Sequence, residues 1–301
     1  MQTTTSKIWI QAARPRTLPL ALSSIVLGTL LAASRQQMDL PVALLALLTA
    51  TFLQVLSNLA NDFGDSIHGA DRPDRSGPKR AVQSGAVSMN AMRNAIGVLA
   101  LLSVLAGIGT LLAAFLPDNM HLFWLFIGLG ALAILAAITY TAGWLPYGYA
   151  GFGDVSVLIF FGWVGVMGSY FLQAQRLDWD ILLPATSCGL MAVAVLNVNN
   201  MRDIASDKMA GKHTIPVRLG VQRAAAYHLL VLALAILCAF AFVLMNNPAA
   251  GNFLFVLSLP LVIKTGLEVY RAQSGQLDPF LKKSVAATLL FVLTFGVGQL
   301  F

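Results

Sequence analysis

Two short polar segments contain the side chains of this sequence that are best suited to chemistry. The first, residues 58–65, reads NLANDFGD, and the second, residues 199–207, reads NNMRDIASD. Each segment closes an apolar run, and if the helix of that run continues, its Asn and Asp side chains recur on one face. The side chains on these two faces are Asn58, Asn61, Asp62, Asp65, Asn199, Asp203 and Asp207.

Carboxylates grouped at the end of a hydrophobic helix repel one another, and at membrane depth they are costly unless a cation is shared between them. Carboxylate and amide oxygens without His or Cys favour Mg²⁺, which keeps several waters and binds through few carboxylates plus substrate phosphates. The two segments therefore predict a Mg²⁺ site that a diphosphate-bearing substrate completes.

The elements that must position these segments are membrane-spanning helices. Of the 301 residues, 57% are hydrophobic and only 11% are charged, and the mean hydropathy is +0.76. These values exclude a soluble globular domain and predict an all-α membrane protein, with a single domain over residues 1–301. Nine apolar stretches are long enough to span a bilayer, at 17–34, 41–61, 90–116, 121–143, 153–173, 181–201, 225–246, 252–271 and 284–301.

The basic residues predict the orientation of these nine spans. They crowd the side that carries both polar segments, and only Arg35 and Arg176 fall on the opposite side. By the positive-inside rule the crowded side is cytoplasmic, so the N-terminus and both segments are expected to face the cytoplasm. The same loops explain the net charge of +6 without nucleic acid as a partner, because they lie beside anionic lipid.

Basic side chains beside the polar segments are candidates for binding a diphosphate. Lys79 and Arg80 follow the first segment, Arg202 lies inside the second, and Lys212 follows it. Lys and Arg neutralise phosphate oxygens that a metal ion does not reach. The alternative reading is a solvated charged loop. Arg14, before the first span, is either a lipid-facing anchor or a substrate contact.

The connection between the fourth and fifth spans contains neither Lys nor Arg. It runs from Tyr140 to Asp154 and is rich in aromatic residues and glycine. An interfacial aromatic belt explains its Tyr and Trp side chains without any function. Asp154 has no basic neighbour in the sequence and begins an apolar run, so it either faces a polar cavity or lies at the membrane surface.

Taken together, these stretches make the chain resemble the UbiA-type intramembrane prenyltransferases, which have Asp-rich motifs at the ends of the second and sixth of nine helices. The resemblance extends over essentially the whole chain. It is closest to the branch whose acceptor is 1,4-dihydroxy-2-naphthoate. The matching stretches are RPRTLPLA from Arg14, LSNLANDFGD from Leu56, YGYAGFGDVSV from Tyr147 and NVNNMRDIASDKMAGKHTIPVRLG from Asn197.

The resemblance implies nine helices around a central cavity that opens to the cytoplasm. It also implies that the protein lies in the inner membrane of a bacterium. It implies Mg²⁺-dependent transfer of a polyprenyl group from a polyprenyl diphosphate to the naphthoate, with loss of its carboxylate, and no obligatory protein partner. Many relatives have a further acid where this chain has Gly69, so Asp71 and Asp74 either compensate or are loop residues. The Mg²⁺ ligands that the resemblance implies are Asn58, Asp62, Asp65, Asp203 and Asp207. The implied substrate contacts are Asn58, Asn199, Arg14, Tyr140, Lys79, Arg80, Arg202 and Lys212. Asp154 is the implied acid of the acceptor site, and the implied catalytic residues are Asp154 and the four motif carboxylates.

Two alternatives remain open at this point. Another acceptor, such as 4-hydroxybenzoate or haem, would use the same donor chemistry. An ion-coupled secondary transporter also has intramembrane acids, but such acids lie near the bilayer midplane. Here they are grouped at one face, which favours the transferase.

Overall fold

The computed structural model describes residues 5–67, 80–142, 146–246, 248–272 and 276–301. Within these ranges the chain is helical and contains no strand. Nine helices of the described part are long and apolar enough to cross a membrane. The all-α fold class and the number of spans are therefore confirmed, whereas the central cavity and its opening to the cytoplasm stay predictions.

Twelve helices follow one another along the described chain, and a single 3₁₀ turn, Pro15–Thr17, separates the first two. Three of them, α1, α8 and α9, are short and lie beside the ends of the spans, and the other nine form the bundle. The helices are α1 (Thr5–Ala13), α2 (Leu18–Ser34), α3 (Leu40–Ile67), α4 (Met89–Phe115), α5 (Met120–Thr139), α6 (Gly153–Ala174), α7 (Trp179–Arg202), α8 (Ile204–Met209), α9 (Ile215–Leu219), α10 (Val221–Met245), α11 (Ala250–Arg271) and α12 (Asp278–Gly298).

Two local features shape the helices around the first polar segment: a break before α2 and an extension of α3. Pro15 ends α1 as its missing N–H requires, and Arg14 adopts a left-handed backbone conformation with φ of 50° at the break. The helix α3 continues to Ile67, beyond the end at residue 61 that its apolar run predicts. The whole first polar segment is therefore helical, and its Asn and Asp side chains share one face.

The sixth span, α7, is the centre of the bundle. In its most apolar stretch 72% of the residues are buried, compared with 6% in the peripheral α5. Small residues along α7 let neighbouring helices approach closely, as is usual where membrane helices pack. At Gly189 an added Cβ would lie 2.9 Å from the Cα of Gly162 on α6. This central position brings the second polar segment, at the end of α7, into the interior of one end of the bundle.

Ion pairs fasten the opposite end of the bundle. Arg35, just after α2, bonds to Asp178 and Asp180, which lie around the start of α7. The hydroxyl of Tyr170 also donates to Asp178. Burial favours the neutral acid, but the bonds from Tyr170 and Arg35 and the charge of Arg35 outweigh it and hold the pKa of Asp178 below its ordinary value. Arg35, one of the two basic residues predicted for this side, is thus part of a charge network.

Candidate functional site

The two polar segments meet around a single ammonium group. Lys212 Nζ lies 3.0 Å from Asp65 Oδ1 at the end of α3 and 3.7 Å from Asp207 Oδ1 in α8. Asp65 is 2% exposed and the side chain of Lys212 is 14% exposed. The predicted convergence of two helix ends that are distant in sequence is therefore present, with a cation of the chain between them.

Asp65 has partners on both carboxylate oxygens. The hydroxyl of Tyr149 donates to Oδ1 over 2.7 Å, and the guanidinium of Arg80 pairs with Oδ2. Lys212 also lies 4.7 Å from the centre of the Tyr149 ring, within the range of a cation–π contact. The buried charge of Asp65 is thus compensated by two cations of the chain itself, and one phenol donates a hydrogen bond to it.

Gly64, beside Asp65 in α3, allows the backbone after α5 to pass close to the site. A Cβ at Gly64 would lie 2.5 Å from the carbonyl oxygen of Thr141. The Thr141 hydroxyl in turn donates to Asn61 Oδ1 over 2.9 Å. The connection between the fourth and fifth spans is thereby held against the first polar segment, which explains how Tyr149 reaches Asp65.

Asp62 differs from Asp65 because one of its oxygens has no hydrogen-bond donor in the part of the chain that the structure describes. Oδ2 accepts the backbone N–H of Ala81 over 3.1 Å, whereas Oδ1 is buried without a hydrogen-bond partner among the described residues. Arg80, which lies just before Ala81, also donates to the Asn61 carbonyl oxygen over 2.9 Å. A buried carboxylate oxygen without a donor is costly, and a cation would satisfy it.

In the second segment, Arg202, predicted as a phosphate contact, pairs with the neighbouring carboxylate of Asp203. Its Nε and Nη2 lie 2.8 Å from the two oxygens of Asp203, and Nη2 lies 3.0 Å from Asn199 Oδ1. Its Nη1 bonds to Asp278 over 3.0 Å. Arg202 and Asn199 therefore hold Asp203 at the end of α7. As substrate contacts these two residues stay predictions.

Asn58 and Arg14 join the site to the start of the bundle. The Asn58 amide donates to the Ala13 carbonyl oxygen over 2.9 Å and to the Thr17 hydroxyl over 3.0 Å. The positive charge of Arg14 acts on the carboxylate of Asp62. Asn58 thus anchors α3 to the break between α1 and α2, and this break brings a cation toward the first segment.

Whether these residues fit Mg²⁺ depends on how the ion would be shared. Within the described ranges no three His, Cys, Asp or Glu side chains lie close enough together to form a ready-made metal cage. Mg²⁺ usually binds through one or two carboxylates and completes its octahedron with waters and substrate phosphates. Asp62 Oδ1, which lacks a donor within the described ranges, and the all-oxygen donor set fit such a substrate-completed site.

A second polar group lies beside the first, on α6 and α10. Asp154 is buried, and the hydroxyl of Tyr227 donates to its Oδ2 over 2.8 Å. The ring of Tyr140 packs edge-on against Tyr147, and a Cβ at Gly153 would lie 2.8 Å from the Tyr140 hydroxyl. Burial, followed by the negative charges of Asp154 and the motif carboxylates, raises the pKa of Tyr140 above its ordinary value. Tyr140 is therefore a protonated phenol whose hydroxyl lies beside the start of α6.

Two functional candidates escape sequence reasoning, and three residues that the sequence analysis named lie outside the described part of the chain. The sequence assigns Tyr149 to an interfacial aromatic belt, and Tyr227 stands alone in an apolar run without any local signal. The contact of Tyr149 depends on a loop fold, and that of Tyr227 depends on α10, which packs on α7 and so places its hydroxyl at Asp154. Lys79 lies outside the described residues, as do Asp71 and Asp74.

Comparisons with known proteins agree with this arrangement. A sequence model of the UbiA prenyltransferase family matches residues 21–295. A 1,4-dihydroxy-2-naphthoate octaprenyltransferase from Escherichia coli (strain K12) is 45% identical over 298 residues, which cover 99% of this chain and 96% of that relative. The protein of the same name from Haemophilus influenzae is 45% identical over 297 residues, covering 98% of this chain and 96% of its own length.

A solved structure supports the fold independently of close sequence identity. The structure of a UbiA homolog from Archaeoglobus fulgidus bound to GPP and Mg²⁺ aligns with a TM-score of 0.68 at 17% identity, and the alignment covers 97% of this chain and 99% of that chain. At this identity the likeness concerns the fold.

Proposed function

This chain belongs to the UbiA prenyltransferase family, and from that premise we propose that it transfers a polyprenyl group from a polyprenyl diphosphate to 1,4-dihydroxy-2-naphthoate. The observation that carries the donor half is the Lys212 ammonium between Asp65 and Asp207, because it joins both acidic motifs in one site. The acceptor is the one named for the relatives from E. coli and H. influenzae.

The donor diphosphate binds where Arg80 and Lys212 now neutralise Asp65. Both cations are largely buried, with side chains 10% and 14% exposed. Charge-assisted bonds from Lys and Arg to phosphate are among the strongest available in a protein. We expect these two side chains to exchange the carboxylate for phosphate oxygens and to stabilise the negative charge that develops on the leaving group.

Mg²⁺, when bound, would supply further neutralisation of the departing diphosphate. Asp62, with its unsatisfied Oδ1, and Asp65 are the ligands that the first motif offers, and Asn58 lies one helical turn before them. Asp203 and Asp207 are the ligands of the second motif. The A. fulgidus homolog is bound to Mg²⁺, and we propose the same ion for this chain.

The chemistry is an electrophilic aromatic substitution. The bond between the allylic carbon and the diphosphate oxygen breaks, and both electrons leave with the diphosphate. An aromatic face such as that of Tyr140 can stabilise the resulting allylic cation, and the apolar helices exclude water that would quench it. A ring carbon of the acceptor then forms the new carbon–carbon bond, and its carboxylate departs as CO₂. The product of the transfer is the hydroquinone, demethylmenaquinol, and a separate oxidant converts it to demethylmenaquinone.

The acceptor end of the site is formed by Asp154 with Tyr227 and Tyr140. A buried carboxylate that accepts a hydrogen bond from a phenol can orient or deprotonate a phenolic hydroxyl of the acceptor. Tyr140 holds its proton, because its pKa is raised, and can donate a hydrogen bond. We assign to Arg14, whose charge acts on Asp62, the contact with the acceptor carboxylate before it is lost.

The nine apolar helices make the chain an integral membrane protein. We propose that it lies in the bacterial inner membrane with the N-terminus and both motifs toward the cytoplasm, where a soluble acceptor can enter. The polyprenyl tail lies along apolar helix faces in contact with lipid.

The experiment that tests this function is product analysis by mass spectrometry. Purified protein is incubated with Mg²⁺, a polyprenyl diphosphate and a panel of acceptors that includes the naphthoate and 4-hydroxybenzoate. We expect a decarboxylated, prenylated naphthoquinol that disappears when EDTA is added. Prenylation of 4-hydroxybenzoate alone would overturn the acceptor, and the absence of any prenylated product would overturn the transferase.

A further inference from the structure

Two loops beside the donor site are tied together by hydrogen bonds. The loop before α6 and the loop before α9 meet through the backbone N–H of His213, which donates to the Tyr149 carbonyl oxygen over 2.8 Å. Arg218 closes the contact: its Nη2 donates to the Ala150 carbonyl oxygen over 2.7 Å, and its Nε donates to the His213 carbonyl oxygen over 2.8 Å. We call these three hydrogen bonds the loop clasp.

Gly151 allows the loop clasp to close. Its φ is +91°, a conformation that L side chains rarely adopt. An added Cβ would also lie 2.4 Å from the His213 carbonyl oxygen and 2.8 Å from Arg218 Nη2. Both the backbone angle and the close approach therefore require glycine at this place.

The loop clasp holds the two residues that reach Asp65 from the loops. Tyr149 belongs to the loop clasp, and Lys212 directly precedes His213 of the clasp. The Tyr149 hydroxyl lies 2.7 Å and the Lys212 ammonium 3.0 Å from Asp65 Oδ1. Tyr149 arrives from one loop and Lys212 from the other. The relative position of the loops thus determines whether phenol and ammonium converge on the same oxygen.

We propose that Arg218 is a positioning residue for the donor site: its guanidinium fork keeps the loop clasp closed, and the closed clasp sets Tyr149 and Lys212 against Asp65. The inference rests on the proposed function, in which Lys212 binds the donor diphosphate. Arg218 is exposed and donates to two backbone carbonyls, so it acts through the loops and does not touch the substrate. A lysine cannot replace it, because one ammonium lacks the planar fork that reaches two carbonyls.

The test compares variants that open the loop clasp in two different ways. Arg218→Gln removes the fork and its charge, whereas Gly151→Ala obstructs the clasp and leaves every charge in place. Arg223→Gln is the matched control, because Arg223 is an exposed cation at the start of α10. We expect both clasp variants to raise KM for the polyprenyl diphosphate about tenfold, the effect of losing roughly one hydrogen bond. The acceptor KM and kcat should keep wild-type values, and Arg218→Lys should behave like Arg218→Gln.

A second measurement follows the loops without requiring activity. Hydrogen–deuterium exchange of the protein in detergent should show the His213 amide exchanging faster in both clasp variants than in the wild type or in Arg223→Gln. A role confined to overall stability would lower kcat or the yield of folded enzyme and would leave the donor KM unchanged.

The outcomes separate this inference from the proposed function. If Arg218→Gln raises the donor KM but Gly151→Ala does not, Arg218 acts through its charge, and the positioning role is wrong. If the amide of His213 exchanges equally in all variants, the loop clasp does not depend on Arg218. If the wild-type protein transfers no prenyl group while the exchange differences persist, the clasp stands and the proposed function fails.

Discussion

Replacing Asp65 with Asn tests which electrostatic effect dominates the stability of the substrate-free protein. The two candidates are attraction between Asp65 and the neighbouring cations, and repulsion among the carboxylates. Sequence reasoning alone suggests that carboxylates at two converging helix ends repel, so the loss of one charge should stabilise the protein. The structure predicts the opposite sign, because Asp65 is the shared anion of Arg80 and Lys212.

The magnitude follows from burial. Removing one partner of a buried ion pair costs about 3 to 5 kcal/mol, since the other charge is left buried without compensation. Arg80 keeps its bond to the Asn61 carbonyl oxygen, and Lys212 keeps Asp207 at 3.7 Å, so we expect a loss near the lower limit, about 3 kcal/mol. A change of that size should lower Tm by roughly 6 to 12 °C.

The assay is thermal unfolding in detergent with EDTA present, followed by the fluorescence of the five tryptophans. Asp118→Asn, at an exposed acid between α4 and α5, is the matched control and should leave Tm unchanged. Inorganic pyrophosphate should then raise Tm of Asp65→Asn more than that of the wild type, because it supplies the missing anion.

The reasoning is refuted if Asp65→Asn unfolds at or above the temperature of the wild type. It is also refuted if pyrophosphate stabilises the variant no more than the wild type, because Arg80 and Lys212 would then have lost no shared anion.

Three further predictions concern other parts of the molecule. Asp62→Ala should abolish Mg²⁺-dependent transfer, measured by product formation, while pyrophosphate still shifts its Tm; retained activity would remove Asp62 from the metal site. Tyr227→Phe leaves Asp154 buried without its hydrogen-bond donor, so kcat with the naphthoate should fall about tenfold or more while donor KM stays constant; an unchanged pH–rate profile and unchanged kcat would separate Tyr227 from the acceptor. The pKa of Asp178 is lowered in the folded protein, so its contribution to stability is present above the unfolded value, about 3.9, and is lost as pH falls through the lower folded value. Acid unfolding of Asp178→Asn between about pH 4 and pH 2 should therefore be less steep than that of the wild type, and equal steepness would contradict the contribution of Arg35.

The large features of the fold could be predicted from the sequence because each depends on a local pattern. Long apolar runs determine the nine spans, and the break before the first span follows from Pro15. The convergence of two helix ends could be predicted because the same Asn and Asp pattern occurs twice. The apolar run predicts too early an end for α3, since the run ends just before the first carboxylate, Asp62, whereas the helix continues to Ile67.

The partners within the site could not be predicted, because they depend on loops that meet only in three dimensions. The phosphate contact of Arg202 stays a prediction, and the sequence does not reveal that the end of α7 places Arg202 against Asp203 and Asn199. Tyr149 reaches Asp65 only because Gly64 and Gly151 permit two close backbone approaches. Close backbone contacts of this kind leave no periodic pattern in the sequence. The roles of these residues in catalysis stay proposals.

The ion pairs of Arg35 restrict how far the first and sixth spans can separate at one end of the bundle. Because Asp178 and Asp180 tie the first span to the entrance of the sixth, these helices are pinned at one rim of the bundle. We expect any separation of these helices that admits a long prenyl chain to be smallest at this fixed end. It should be largest at the opposite end, where the motifs lie.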